Sequence, residues 1–324
     1  MAASRGLPFP ANPDVVMNGM KEEIREYALE CGFDACGFAE ARPVGDAVVV
    51  EYRRWLASGK HFCMDYLTRY SDVRDDSRQL LDGARTVISL AVNYYPERLQ
   101  PADAPQFSYY AYGKDYHDVV KSKLRNVAAF ITDRWNVSCR VCVDTAPMRE
   151  RYWAQQAGIG FIGRNNQLIL PGKGSYFFLG EIVTDLQIEP DSPCMTSCGD
   201  CRRCVEACPA SALPGDYGAL DARRCISCLT IEYRGEFTDE MAATFGNRVY
   251  GCDDCQKACP HNRFARASKV KEFSPSQEFL SLSYDSLQQL SEDGFRCLFK
   301  DSAVKRTKYS GLMRNISAIT RKHP

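Results

Sequence analysis

The sequence lacks any long hydrophobic run. Its apolar stretches, such as residues 87–92, are interrupted by polar residues within about ten positions, whereas a membrane-spanning helix needs roughly 20 apolar residues. The amino-terminal Met-Ala-Ala-Ser-Arg-Gly-Leu-Pro also has no apolar core of signal-peptide length. We therefore expect a soluble, cytoplasmic protein without a membrane partner, and we expect it to be a monomer.

A net charge is also missing, since Lys plus Arg and Asp plus Glu both number 41 in 324 residues. Any nucleic-acid partner would have to bind a local basic patch. From residue 296 onward the only acidic residue is Asp301. The basic residues there are Arg296, Lys300, Lys305, Arg306, Lys308, Arg314, Arg321 and Lys322. Such a patch can bind phosphates, but a solvated helix face has the same composition, and both interpretations stay open.

Cysteine is abundant, with 16 residues, and ten of them lie between Cys194 and Cys259. Disulfides are rare in the cytoplasm, so this clustering favours metal ligation or redox chemistry. Cys-x2-Cys pairs are also typical of zinc sites, but zinc spacing does not require a third cysteine two residues on and a closing Cys-Pro. We therefore predict iron-sulfur clusters.

The cysteine spacing predicts two 4Fe-4S clusters in a ferredoxin-like module. The prediction rests on two cysteine runs, Cys198-x2-Cys201-x2-Cys204-x3-Cys208-Pro209 and Cys252-x2-Cys255-x3-Cys259-Pro260. In bacterial ferredoxins three close thiolates hold one cluster and the fourth reaches the other. This rule assigns Cys198, Cys201, Cys204 and Cys259 to cluster one. Cluster two takes Cys208, Cys252, Cys255 and one intervening cysteine, either Cys225 or Cys228.

Hydrophobic periodicity divides the chain into three parts. The first part alternates helices and strands. We predict helices over 20–31 and 119–131, a helix led by Pro147, and strands over 35–39, 87–95, 140–143 and 176–186. We therefore expect an α/β (α+β) domain over 1–187, then a polar, proline-bearing linker over 189–193. The ferredoxin-like module covers 188–263, and a short, basic helical tail covers 264–324.

Several motifs outside the ferredoxin spacing resemble the epoxyqueuosine reductases, and the resemblance spans nearly the whole chain. They are Val143-Asp144-Thr145-Ala146-Pro147, Gly158-x-Gly160-Phe161-Ile162-Gly163-Arg164-Asn165, Phe178-Leu179-Gly180-Glu181, Arg224-Cys225-Ile226-Ser227, Leu229-Thr230-Ile231-Glu232, Tyr250-Gly251-Cys252-Asp253-Asp254-Cys255-Gln256, Ser302-Ala303-Val304-Lys305-Arg306 and Leu312-Met313-Arg314-Asn315. The chain does not contain the helical-repeat extension that some members carry, so we expect a smaller RNA surface.

The resemblance implies a cobalamin-dependent enzyme that reduces the epoxide of epoxyqueuosine in a tRNA anticodon loop, giving queuosine and water. The corrin would lie between the α/β domain and the clusters, and a low-potential donor would supply the electrons. Asp115-x-His117 lacks the glycine of the Asp-x-His-x-x-Gly cobalamin motif, so cobalamin would bind without that lower-ligand histidine. A reductive dehalogenase-like corrinoid enzyme is one alternative, although the chain has no twin-arginine signal. A non-catalytic dicluster electron carrier is another.

The same resemblance implies roles for particular residues. Asp144 would be the general acid, a role that contributes about 10² to 10⁴ in rate; the plain alternative is a helix N-cap before Pro147. Residues matching cobalamin contacts are Arg74, Asp144, Leu168, Leu179, Ser227, Cys252 and Asp253. Arg234, with Lys305, Arg306 and Arg314 of the basic tail, would face the RNA. The motif favours Cys225 as the eighth ligand, since Cys228 stands where the family usually has an aromatic residue.

The remaining cysteines and a group of tyrosines have plainer interpretations. Free cysteines often behave as small buried hydrophobes. We predict this for Cys31, Cys36, Cys63, Cys139, Cys142, Cys194 and Cys297, with Cys194 a potential exception because it lies four residues before the first ligand. The tyrosines at 109, 110, 112 and 116 could stack on bases, but such residues more often belong to the core.

Overall fold

The computed structural model describes residues 13–215 and 220–320. Arg321 and Lys322 of the predicted basic patch lie outside these residues, as does the amino-terminal segment. No helix in the described ranges is both long and apolar enough to span a membrane.

The described residues form thirteen α-helices and eight strands. The helices are α1 Pro13–Glu30, α2 Asp46–Ala57, α3 Ser71–Asp75, α4 Tyr116–Trp135, α5 Glu150–Gln156, α6 Arg203–Glu206, α7 Ile226–Ile231, α8 Asp239–Phe245, α9 Asp254–Lys257, α10 Gln277–Leu280, α11 Tyr284–Gln288, α12 Glu292–Leu298 and α13 Lys308–Thr320. The strands are β1 Ala35–Glu40, β2 Thr86–Asn93, β3 Gln106–Phe107, β4 Cys139–Cys142, β5 Phe161–Ile162, β6 Leu168–Ile169, β7 Phe177–Thr184 and β8 Arg248–Tyr250.

A four-stranded sheet in the order β1-β2-β7-β4 organises the first part of the chain. Every neighbouring pair in it is antiparallel, so this part is of the α+β kind. Side chains of successive strand residues point to opposite faces, and each face therefore has its own set of neighbours. The strands predicted over 35–39, 87–95, 140–143 and 176–186 are confirmed as β1, β2, β4 and β7.

Helix α4 covers one face of the sheet because its apolar residues recur at three- and four-residue steps. The residues predicted to share its buried face are all buried: Val120, Leu124, Val127, Ala128 and Ile131. They pack with Ile88, Leu90 and Ile182 of the two central strands. Burying one such side chain contributes about 1.5–3 kcal/mol, so this interface is a major part of the core.

Helix α5 covers the opposite face, but it begins later than predicted. The first helical residue is Glu150 and Arg149 occupies the N-cap position. Pro147 instead belongs to a turn in which the Met148 N–H bonds to the Ala146 carbonyl at 2.7 Å. The fixed φ of proline suits such a turn as well as a first helical turn, and the sequence does not distinguish the two.

The three parts of the chain share one hydrophobic core. Strand β3 pairs in parallel with β8 and so joins the first part to the cysteine-rich part. Leu312 and Ile316 of α13 are buried in the same cluster as Val249 of β8. The helical tail is therefore an integral packing element, and its described basic residues are exposed except for the half-buried Arg314.

Candidate functional site

Asp144 lies on a tight turn between β4 and α5. Its φ of 41° is in the left-handed region, which is uncommon for residues other than glycine and is enriched at functional sites. Its N–H donates a hydrogen bond to Glu150 Oε1 at 2.5 Å, and its side chain is 50% exposed. The N-cap alternative is therefore wrong, because α5 starts six residues later and Asp144 is fixed by a side chain of that helix.

His117 at the start of α4 connects two carboxylates. Its Nδ1 lies 2.7 Å from Asp115 Oδ1 and its Nε2 lies 2.9 Å from Asp144 Oδ2. Lys305 Nζ is 3.0 Å from the other oxygen of Asp115. The Tyr116 ring stacks on the imidazole with centroids 4.1 Å apart. These contacts order the residues as Lys305, Asp115, His117 and Asp144, and Asp144 is at the exposed end.

The electrostatics of this network favour an ionised Asp144 beside a protonated His117. Burial opposes charge on His117, but its hydrogen bonds to Asp115 and Asp144 prevail and raise its pKa to about 9. Burial would raise the pKa of Asp144, yet the hydrogen bond and charge of His117 hold it below the ordinary value. At neutral pH the transferable proton therefore resides on the imidazole, one hydrogen bond away from Asp144.

Two further carboxyl groups lie behind Asp144. Glu150 is the α5 residue that accepts the Asp144 N–H. Glu181 lies in the middle of β7 and is fully buried. Burial and the Asp144 charge raise the pKa of Glu150, and burial followed by the Glu150 charge raises that of Glu181. The site thus contains acids that stay protonated more readily than exposed glutamates do.

Four cysteine side chains surround a small cavity in the cysteine-rich part. They are Cys198, Cys201, Cys204 and Cys259. Asn165, Ile169, Pro260 and His261 complete the lining. The first run supplies three of these cysteines and the second run supplies the fourth, which is the grouping that the cross-over rule predicts.

The other predicted ligands form a second group. Burial comes first among the causes that raise the pKa of the Cys255 thiol, followed by Cys252 and Cys225, so these sulfurs are neighbours; Cys204 of the first group has a smaller effect. The pKa of Cys225 is raised by burial and also by nearby Cys208. For Cys228, burial is followed by Cys63 as a cause of the raised pKa. Cys225 therefore lies with Cys208, whereas the first neighbour of Cys228 is Cys63.

The candidate cobalamin residues occupy both sides of the junction between the sheet and the cysteine-rich part. Leu168 is buried and Leu179 is half-buried, and both belong to one apolar cluster. Ser227 is half-buried in α7 and Arg74 is half-buried in α3. Tyr66 is influenced by groups on both sides of this junction. Burial raises the pKa of its phenol most, and the charges of Glu232 and Asp144 and the Cys228 thiol raise it further.

Two of these candidates also have structural partners. The buried carboxylate of Asp253 accepts the Tyr109 N–H at 2.8 Å. Cys252 is half-buried beside Arg248, whose charge opposes the burial that raises the pKa of its thiol. Both residues sit at the start of α9, between the second cysteine group and the tyrosines that follow β3.

The four predicted RNA-facing residues differ in their surroundings. Arg234 and Arg306 are exposed; Arg306 pairs with Glu232 at 2.8 Å, and Arg234 donates to the Arg306 carbonyl. Lys305 is half exposed and pairs with Asp115. Arg314 is half-buried, and its guanidinium donates to the carbonyls of Tyr233 and Gly235 at 2.7 and 2.9 Å. Its position is that of a framework residue.

The remaining cysteines only partly follow the prediction that they are buried. Cys36 and Cys142 are buried, four others are half-buried, and Cys297 is exposed. Cys297 lies near the end of α12, where the buried position belongs to Phe295. Cys194 packs with Phe161, Ile169 and Cys259 at the edge of the first cysteine group. Tyr109 and Tyr112 are buried, as expected for core residues.

Sequence reasoning assigned no role to His117, Glu150 or Glu181. For two of these residues the sequence contains a recognisable feature. Asp115-x-His117 has a recognisable spacing but does not fit a cobalamin motif, and Glu181 is an acidic residue inside an apolar strand. No feature of the sequence marks Glu150 as a site residue, because its contact with Asp144 depends on where α5 begins.

Two family models match parts of the chain. Residues 74–145 match the family described as Epoxyqueuosine reductase QueG, DUF1730. Residues 197–262 match the 4Fe-4S double cluster binding domain. The second match agrees with two iron-sulfur clusters and not with a zinc site.

Whole-length relatives and solved structures give the same family. Epoxyqueuosine reductase of Leadbetterella byssophila is 40% identical over 304 residues, covering 94% of this chain and 99% of the relative. A crystal structure of epoxyqueuosine reductase with an epoxyqueuosine-modified tRNA-Tyr stem loop matches with a TM-score of 0.83 at 31% identity, over 94% of this chain and 81% of that one. A structure of the Bacillus subtilis epoxyqueuosine reductase, in which the aspartate catalytic loop is swung out of the active site, matches with a TM-score of 0.82 at 31% identity, over 94% of this chain and 82% of that one.

Proposed function

This chain belongs to the epoxyqueuosine reductase family, and from that premise we propose that it reduces the epoxide of epoxyqueuosine in a tRNA anticodon loop to queuosine. The observation that carries the proposal is the Asp144 carboxylate, half exposed on a left-handed turn and hydrogen-bonded to His117. The aspartate catalytic loop of the Bacillus subtilis relative supports a catalytic role for such a residue.

The reaction fixes what the site must supply. Both carbon–oxygen bonds of the epoxide break, a carbon–carbon double bond forms, and the oxygen leaves as water. This conversion consumes two electrons and two protons. An unprotonated oxygen is a poor leaving group, so a proton donor must lie beside the epoxide.

Asp144 and His117 together act as that donor. The imidazolium Nε2–H donates to the Asp144 carboxylate in the resting enzyme. As negative charge develops on the epoxide oxygen, the imidazolium proton moves to the Asp144 carboxylate, and Asp144 passes a proton on to that oxygen. Asp115, held by Lys305, keeps the imidazole oriented and favours its protonated form.

Two 4Fe-4S clusters deliver the electrons one at a time. We assign Cys198, Cys201, Cys204 and Cys259 to cluster one; the shared cavity supports this set. We assign Cys208, Cys225, Cys252 and Cys255 to cluster two, supported by the proximity of Cys225 to Cys208 and Cys255. A low-potential donor loads this relay. We further propose that the enzyme acts as a monomer in the cytoplasm.

Cobalamin fits the junction between two parts of the chain. One is residues 1–187, which we propose as the catalytic domain, and the other is the cluster module over 188–263. A corrin has apolar faces and a rim of amide groups. Leu168 and Leu179 offer apolar surface, while Arg74, Ser227 and Asp253 offer hydrogen-bonding groups. Cys252 and Asp144 would contact it from the two sides. When bound, cobalamin supplies a reduced cobalt centre that accepts electrons from the clusters.

The tRNA stem loop would bind along the exposed surface that includes Arg234, Lys305 and Arg306. The relative solved with a modified tRNA stem loop supports an RNA substrate. The Arg306 guanidinium lies over the Tyr66 ring, 5.7 Å from its centroid; its pKa is raised mainly by its hydrogen bond to Glu232 and, more weakly, by the Asp144 charge. Phosphate binding at Arg306 would therefore place the anticodon loop beside the proton donor.

Replacing Arg306 by alanine should weaken tRNA binding and reduce the slope of log affinity against log salt by about one, because one phosphate contact is lost. It should lower the melting temperature only slightly, since the Arg306 side chain is 54% exposed and only its partner Glu232, at 17%, is mostly buried. Fluorescence anisotropy at several salt concentrations measures the slope.

Arg314→Ala is the matched comparison. It leaves the Tyr233 and Gly235 carbonyls without their guanidinium donor, so it should lower the melting temperature and leave the salt slope unchanged. A stable Arg314→Ala protein with a reduced slope would instead make Arg314 a phosphate ligand.

The proposed function is tested with anaerobically purified protein reconstituted with iron, sulfide and cobalamin. Conversion of epoxyqueuosine to queuosine in tRNA, measured by mass spectrometry of the nucleosides, is the expected result. Turnover of a halogenated aromatic but not of the tRNA would favour the corrinoid dehalogenase alternative. Cluster loading without bound cobalamin or turnover would leave an electron carrier.

A further inference from the structure

Glu181 is the most unusual polar residue of the described structure. It is fully buried in a central strand, and the Ser89 hydroxyl directly across from it on β2 only partly offsets the effect of that burial on its pKa. By distance and angle, neither carboxyl oxygen has a well-placed hydrogen bond among the described residues. A buried carboxylate in such surroundings is strongly disfavoured relative to the neutral acid.

Glu150 is the acidic neighbour of Glu181. The charge of Glu150 acts on Glu181, and Glu150 Oε1 also accepts the Asp144 N–H at 2.5 Å. Glu150 begins the helix that packs against β7, so it adjoins both the strand of the buried acid and the turn that holds the proposed proton donor. The ionisable groups around the pair come from four neighbouring segments: Tyr116 and His117 of α4, Arg140 and Cys142 of β4, Asp144 of the turn, and Arg151 of α5.

We propose that Glu150 and Glu181 form a proton reserve that delivers the second proton of the reaction through Asp144. The inference rests on the proposed function, because it is the conversion of an epoxide to an alkene and water that consumes two protons. His117 supplies the first proton. The pair supplies the second from a position shielded from solvent.

The proton balance is simple. After the first transfer His117 is neutral, and the carbon-bound oxygen still needs one proton to leave as water. One neutral carboxyl of the pair gives up its proton, Asp144 relays it to that oxygen, and the pair is left with both carboxyls ionised. Repulsion between two buried carboxylates then favours rapid uptake of a proton from solvent before the next turnover.

Glu181→Gln tests the reserve, since the amide keeps the size of the side chain but carries no acidic proton. Only Glu150 then remains to hold a proton, and its carboxyl gains one as the pH falls. The single-turnover rate should fall about tenfold or more at neutral pH and recover as the pH is lowered by about one to two units. Glu150→Gln retains an oxygen that accepts the Asp144 N–H and should give the same loss without recovery.

A second readout does not depend on turnover. The infrared spectrum of the reconstituted wild-type protein should contain a neutral-carboxyl C=O band at neutral pH that disappears in Glu181→Gln. Glu97→Gln, at an exposed glutamate, is the matched control and should retain the band and the rate. Absence of the band in wild type overturns the reserve even if the enzyme turns over. A band that disappears with no change in the pH profile also overturns it, because the pair then plays only a structural part.

Discussion

Replacing Asp144 by asparagine should slow epoxide reduction by about 10² to 10⁴-fold, the contribution expected of a positioned general acid. The amide has nearly the same shape, and its oxygen can still accept the His117 hydrogen bond, but it cannot pass the proton on. The rate should be measured in single turnovers on epoxyqueuosine-containing tRNA. Iron and cobalamin contents must match those of wild type, so that the loss reports proton transfer alone.

Asp133→Asn is a suitable control, because Asp133 is an exposed carboxylate of α4 away from the turn. His117→Gln provides a second measurement. The raised pKa of His117, about 9, means that the imidazole holds its proton at neutral pH and loses it as the pH rises through that value. The wild-type rate should therefore fall above about pH 9, and this decrease should be absent in His117→Gln. A full rate in Asp144→Asn would contradict the assignment.

The parts of this protein that the sequence predicted are those encoded locally. The buried face of α4 followed from the spacing of five apolar residues, and the first cluster set followed from two short cysteine runs. In both cases the determining residues are close in the chain, or belong to a motif whose cross-over is a fixed property of the ferredoxin arrangement. Neither depends on where distant segments meet.

The residues that were missed depend on long-range packing. His117 meets Asp144 only because α4 and the turn after β4 converge at one end of the sheet. Glu181 faces Glu150 only because α5 starts at residue 150 and covers that face. Arg314 was grouped with the surface charges by composition, yet its carbonyl partners lie about 80 positions away. Charge counts do not show whether a guanidinium points inward.

The eighth cluster ligand can be decided by two substitutions. Cys225→Ala should lower the iron content from about eight to about four atoms per chain, because a cubane that has lost one of its four thiolates is not retained. Reduction of the tRNA epoxide should then fall to background, since the electron relay is broken. Iron and sulfide analysis with electron paramagnetic resonance of the reduced protein measures the loss.

Cys228→Ala should keep about eight irons and most of the activity. The physical reason is its position. Cys228 is buried beside the Cys63 thiol, whereas Cys225 adjoins Cys208 and Cys255. Cys63→Ala, at the thiol next to Cys228, is the corresponding control and should also retain both clusters. If Cys228→Ala lost four irons while Cys225→Ala kept them, Cys228 would be the ligand, and helix α7 would have to turn its first residues toward cluster two.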